Sequence, residues 1–82
     1  MTLSEVKKAM SDLENRIHAE GYPDVFIRKQ SGSGSDNVSF KLCHADYSEP
    51  IAYSGSLSSY ERQVECLTYY YENTVKGNPK YS

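Results

Sequence analysis

The chain has 82 residues, 38% hydrophobic and 24% charged, and nine basic against eleven acidic side chains leave a net charge of −2. A chain of this length predicts one small domain, 1–82, that buries only about 60–65% of its unfolded surface and leaves little room for a deep substrate cleft. The composition is too apolar and too mixed in sign for a disordered tail, and the balance of charge excludes a global field drawing the protein to nucleic acid or an anionic membrane.

Glu5, Lys7, Lys8, Asp12, Glu14 and Arg16 interrupt the first twenty residues, so no apolar core of a signal peptide forms there. No apolar run approaches the ~20 residues that span a bilayer. The expected location is cytoplasmic, with no membrane partner, and in that compartment Cys43 and Cys66 are expected as free thiols.

Thr2 and Glu5 have capping-box spacing, and Leu3, Val6, Met10, Leu13 and Ile17 then recur at three- and four-residue steps until Gly21. The pattern predicts an amphipathic helix over 3–20. Its far side holds Glu5, Lys8, Asp12 and Arg16, where Lys8 with Asp12 and Asp12 with Arg16 are expected as i,i+4 pairs. Tyr22-Pro23 stops the helix, because a residue before proline is pushed toward extended backbone.

Residues 25–30 predict a first strand. Residues 31–37, Ser-Gly-Ser-Gly-Ser-Asp-Asn, have no side chain large enough to pack and read as a flexible hairpin loop. Residues 38–45 alternate, with Val38, Phe40, Leu42 and His44 on one face and Ser39, Lys41, Cys43 and Ala45 on the other. After a turn-rich stretch through Pro50, residues 51–56 predict a short edge strand that sends Ile51 and Tyr53 to the core and leaves Ala52 and Ser54 on the open face.

Ser58 and Glu61 repeat the capping-box spacing, opening a second α-helix that Gly77 and Pro79 end; residues 78–82 are expected to fray. Tyr60, Val64, Leu67, Tyr71 and Val75 form its core-facing stripe. Arg62, Cys66, Tyr69 and Asn73, with Tyr70 at the edge, gather on another side, and Tyr69 lies about 160° from the centre of the apolar stripe at about 100° per residue. The order is α-β-β-β-α, an α+β fold in which a three-stranded antiparallel meander has two helices packed on one face.

Little in this pattern points to catalysis. Cys43 and His44 are neighbours on a strand and project to opposite faces, so they cannot form a thiolate-imidazole pair. Cys43, His44, Cys66 and His18 lack the paired spacing of a zinc site. Gly32 and Gly34 do not lead from a strand into a helix, so they do not form a phosphate cradle. No catalytic residue, metal ligand or cofactor is expected, and the chain reads as a non-enzyme.

Two surfaces remain. The open sheet face is expected to show Phe26, Arg28 and Lys41, with Gln30, Ser39 and Cys43 beside them, a combination suited to an acidic segment or a nucleic-acid single strand. The outer side of the second helix offers Arg62, Cys66, Tyr69, Tyr70 and Asn73, and tyrosine and arginine are enriched at protein interfaces. The element order is similar to the architecture of double-stranded-RNA-binding domains, in which a lysine cluster opens the second helix and a Pro-His element lies between the first two strands. Here Ser58-Ser59-Tyr60-Glu61-Arg62-Gln63 and the Ser/Gly loop stand in those places with one cation between them. The similarity is therefore one of order, and no binding residues carry over.

The expected function is a small protein-binding module, an inhibitor or adaptor that covers a partner protein's surface, with a homodimer through the tyrosine side as one form of partner. Small domains without catalytic residues are common among phage and mobile-element inhibitors of host defence, anti-CRISPR proteins included. RNA or single-stranded nucleic-acid binding on the open sheet is the competing, disfavoured expectation.

Overall fold

The computed structural model describes residues 1–31, 38–54 and 59–81. The element order is α1 (Leu3–Ala19), β1 (Val25–Ser31), β2 (Val38–His44), β3 (Ala52–Tyr53) and α2 (Tyr60–Tyr70), which runs on into a π-helical turn, Tyr71–Val75. Of the Ser/Gly loop expected to be flexible over 31–37, Ser31 instead ends β1, paired with Val38, and residues 32–37 lie outside the described residues, as do Ser58 and the far end of the third predicted strand.

Helix α1 starts as its spacing requires. The Glu5 amide donates to Thr2 Oγ1 at 3.2 Å and the Thr2 amide donates to Glu5 Oε1 at 2.9 Å, satisfying two groups that a helix start leaves open. Val6, Met10, Leu13 and Ile17 are buried. The helix ends at Gly21, whose φ of +106° suits a residue without a Cβ. On the solvated side Lys8 meets Asp12 at 3.4 Å, but Arg16 turns away from Asp12 to Glu20 at 2.9 Å and Glu72 at 3.4 Å. A carboxylate from the second helical segment outcompetes the predicted neighbour.

The sheet is an antiparallel meander in the order β1-β2-β3, which makes β2 the central strand. Its register pairs Val25 with His44, Ile27 with Leu42 and Lys29 with Phe40 on one face, and Phe26 with Cys43, Arg28 with Lys41 and Gln30 with Ser39 on the other. Both helices pack on the first face, where Val25, Val38, Phe40, Leu42 and Ala52 join the buried side chains of α1, α2 and the π-turn in one core. Among the described residues no helix is long and apolar enough to cross a membrane.

The third strand departs from expectation in parity. Ala52 and Ser54 are buried and Tyr53 is 53% exposed, the reverse of the alternation read from the sequence, because a one-residue shift exchanges the faces of a strand. Ile51 still packs against the core. It does so from the turn, where its amide donates to Leu42 O at 2.6 Å before regular pairing begins at Ala52 with Leu42. Small side chains at 52 and 54 let α2 lie close over β3. Gln63, 3% exposed, descends from α2 so that its Oε1 accepts from the buried Ser54 hydroxyl at 3.2 Å.

The second helix also differs from a uniform α-helix. Ser59 is its N-cap, accepting from the Arg62 amide at 3.5 Å, one residue beyond the predicted Ser58. Past Tyr70 the winding widens: the Lys76 amide donates five residues back to Tyr71 O at 2.8 Å. The buried positions Gln63, Leu67, Tyr71 and Val75 lie four apart. In an α-helix such steps drift around the axis, and the smaller turn per residue of an i→i+5 segment brings Val75 back over the core. Gly77, at φ +81°, then reverses the chain, and its amide donates to Tyr22 Oη at 2.7 Å.

The tail is more engaged than the expected fraying. Tyr81 packs against the core, the Tyr47 hydroxyl donates to Lys80 O at 3.4 Å, and the Lys80 ammonium lies 4.8 Å from the Tyr47 ring centre and 5.4 Å from that of Tyr81.

Candidate functional site

The outer side of α2 is built on the register that sinks Gln63, Leu67 and Tyr71. Arg62, Cys66, Tyr69 and Asn73 follow one another by four, three and four residues on the side turned away from that register, with Tyr70 beside them. Tyr69 is 61% and Tyr70 40% exposed. Their rings meet edge to face, with centroids 5.7 Å apart at 88°, an arrangement the aromatic quadrupole favours. Arg62 and Asn73 are exposed and Cys66 is half-buried. The Asn73 side-chain amide donates to Tyr69 O at 2.8 Å, which fixes Asn73 on the tyrosine side and uses one of its two N–H donors. The π-turn thus begins where the exposed aromatic pair ends.

The open sheet face holds a second constellation, and the parity of β3 enlarges it. Lys41 pairs across to Arg28 on one side and to Tyr53 on the other, so a cation, a cation and an aromatic run in a row over three strands. The Arg28 guanidinium carbon lies 5.8 Å from the Phe26 ring centre and the Lys41 ammonium 5.6 Å from that of Tyr53, within cation–π range. Among the described residues neither Arg28 nor Lys41 has a carboxylate partner. Ser39 Oγ is 3.5 Å from Tyr53 Oη and donates to Gln30 O at 3.3 Å. Sequence reasoning found Phe26, Arg28 and Lys41 but placed Tyr53 in the core.

The thiols are not activated. Burial pushes the Cys43 thiol up from its ordinary value although Arg28 and Lys41 pull it down, and burial also raises Cys66. Both are free cysteines. Cys43 lies on the open face and His44 on the core face, as strand alternation requires. His18 Nε2 is 2.7 Å from Val25 O and donates to it, joining the end of α1 to the start of β1.

One cluster escaped the sequence reading. Asp24, His44 and Asp46 bring potential ligand atoms within 4.8 Å of one another at the open end of the β1-β2 hairpin. However, the Asp46 amide donates to His44 Nδ1 at 3.1 Å, so the neutral ring carries its proton on Nε2 and has no free lone pair. A metal ion would have to break that bond or shift the proton. The ring instead stacks obliquely on Tyr47 and Tyr81, 5.2 and 5.9 Å away, and serves the turn and the tail. The neighbouring cleft of about 370 Å³, lined by residues 47–51 with Lys80 and Tyr81, has the Lys80 ammonium over its two tyrosine rings.

No protein-family model matches the chain, and no curated protein or solved structure matches it.

Proposed function

We propose that the protein is a small non-enzymatic binding module, an inhibitor or adaptor that covers part of a partner protein's surface with the outer side of α2. The observation that carries this reading is the Tyr69–Tyr70 pair, two rings in fixed relation on the outside of a helix whose opposite side is the core. Rings already ordered against each other lose less freedom when a partner covers them. Arg62 and Asn73, four residues from Cys66 and Tyr69, add directional donors along the same stripe.

Area sets what else must join. Fully covered, two tyrosines bury about 300–500 Å², and these two are already partly covered, whereas each side of a standard interface contributes about 800 Å². Arg62, Cys66 and Asn73 therefore belong to the footprint, and the rings are its anchors. A second copy of the chain can occupy the same stripe by meeting it across a two-fold axis. Blocking a partner by cover alone suits a phage or mobile-element inhibitor of host defence, such as an anti-CRISPR protein, a class in which small domains without catalytic residues are common.

The test is Tyr69→Ala combined with Tyr70→Ala, assayed by sedimentation for self-association and by pull-down for a partner. Both rings lie outside the core, so the far-UV circular dichroism and thermal midpoint should stay close to wild type. Association should fall at least about 30-fold, the scale of an interface hot spot. Association at wild-type strength would remove the reading.

A further inference from the structure

We infer that the open face of the sheet is a binding site for a short stretch of single-stranded nucleic acid, with Arg28 and Lys41 on the phosphates and Phe26 and Tyr53 under the bases. The site lies on the sheet face opposite the one that carries the helices, so it stands independently of the α2 reading.

Charge complementarity identifies the occupant. Arg28 and Lys41 are direct cross-strand partners, and like charges placed opposite each other destabilise a sheet. Exposed strands often carry lysine to guard against edge pairing, but that purpose belongs to edge strands, and Lys41 is on the central one. Strands β1, β2 and β3 contain no Asp or Glu, so nothing along them neutralises the pair. An anion seated between Arg28 and Lys41 would relieve the repulsion and restore an opposite charge to each.

The aromatic rings separate a nucleic acid from other anions. Each cation lies over a ring, Arg28 over Phe26 and Lys41 over Tyr53, so two adjacent cations are flanked by π-surface on a platform about 10 Å wide, the span of three strands, and a phosphate that draws the cations off the rings frees the ring faces. Bases stack on such rings whatever their identity while the backbone follows the cations. An acidic peptide would use the cations and leave the rings idle. Two phosphate contacts on a protein of net charge −2 predict weak binding, near the ~10⁻⁴ M end of nonspecific affinities at physiological salt.

The experiment is fluorescence anisotropy with a labelled decathymidylate, a base-free abasic decamer of equal charge, and a deca-glutamate peptide, each titrated with the full chain from low to physiological salt. Decathymidylate should bind at low salt with a slope of log K against log salt of about −1.4, two contacts at about 0.7 each for single strands. Arg28→Glu and Lys41→Glu should each weaken it more than tenfold, Arg28→Gln and Lys41→Gln should weaken it less, and Tyr53→Ala should cost about fivefold or more. Tyr69→Ala with Tyr70→Ala should leave it unchanged, which separates this site from the α2 surface. No binding at low salt, binding indifferent to Arg28→Glu, or deca-glutamate or the abasic decamer bound as tightly as decathymidylate would each overturn the proposal.

Discussion

The hydroxyl of Tyr71 ends a ring that is fully buried, and it donates to Glu20 Oε1 at 2.6 Å. Arg16 lies over the same ring at 5.4 Å and reaches both Glu20 and Glu72, while Lys76 adds a contact to Glu20 at 3.4 Å. This group joins the last turn of α1 to the π-turn. The hydrogen bond from Tyr71, then that from Arg16, hold the Glu20 carboxyl at about 2 against an ordinary 4.5. The unfolded chain therefore binds a proton at Glu20 more readily than the folded one. The stabilisation is complete above about pH 4.5 and drains away as pH falls toward 2. Acid titration followed by circular dichroism should show Glu20→Gln with a shallower loss of stability across that window than wild type. Tyr71→Phe removes only the hydroxyl, and should lower the thermal midpoint by about 4–8 °C. At this level the sequence was readable where a residue continued a period, as Val6, Leu67 and Val75 did. It was unreadable where position depended on a partner distant in the chain: Tyr22 was read as part of a stop signal, yet it is a core ring set edge-on to Tyr71 at 5.9 Å.

Among the elements, α1 and β2 follow from spacing because each carries its buried apolar residues on one unbroken period, whereas β1 puts Val25 and Ile27 on the core face and Phe26 on the open one. Strand β3 has only two paired residues, too few for alternation to fix its parity, and the turn before it shifts the phase by one. Ser54 shows how the short strand is completed. Its amide donates to Phe40 O at 3.0 Å and its hydroxyl accepts from the Phe40 amide at 3.0 Å, so the side chain stands in for the Ser54 carbonyl in the next rung, and the hydroxyl lies 3.2 Å from Gln63 Oε1. Ser54→Ala leaves a buried amide without this acceptor and should destabilise the fold by about 1–3 kcal/mol, measured by denaturant titration with an unchanged slope. The π-turn had a trace in the sequence, the four-residue trail from position 63 to 75, but Gln63 looked like a solvent-facing residue and concealed the first step. The neighbouring choice, Val64, satisfied an α-helical period equally well.

On the scale of the whole molecule, the two helices occupy one face of the sheet and leave the other open, so the fold presents two chemically different sides. One is the outer flank of α2 with an ordered tyrosine pair; the other is a cationic and aromatic platform. The first was legible from helical spacing alone, since a ring about 160° from a buried stripe has no core to enter. The second was half legible, because the contribution of Tyr53 required the register of β3. The central claim, that the tyrosine flank meets another protein, is tested most directly by a photo-reactive benzoylphenylalanine placed at position 69 and, as a control, at position 12 on the solvated side of α1. Irradiation in the cells that make the protein should give a discrete adduct from position 69, at twice the chain mass if the partner is a second copy, and none from position 12. Equal labelling from both positions, or no adduct from position 69, would contradict it.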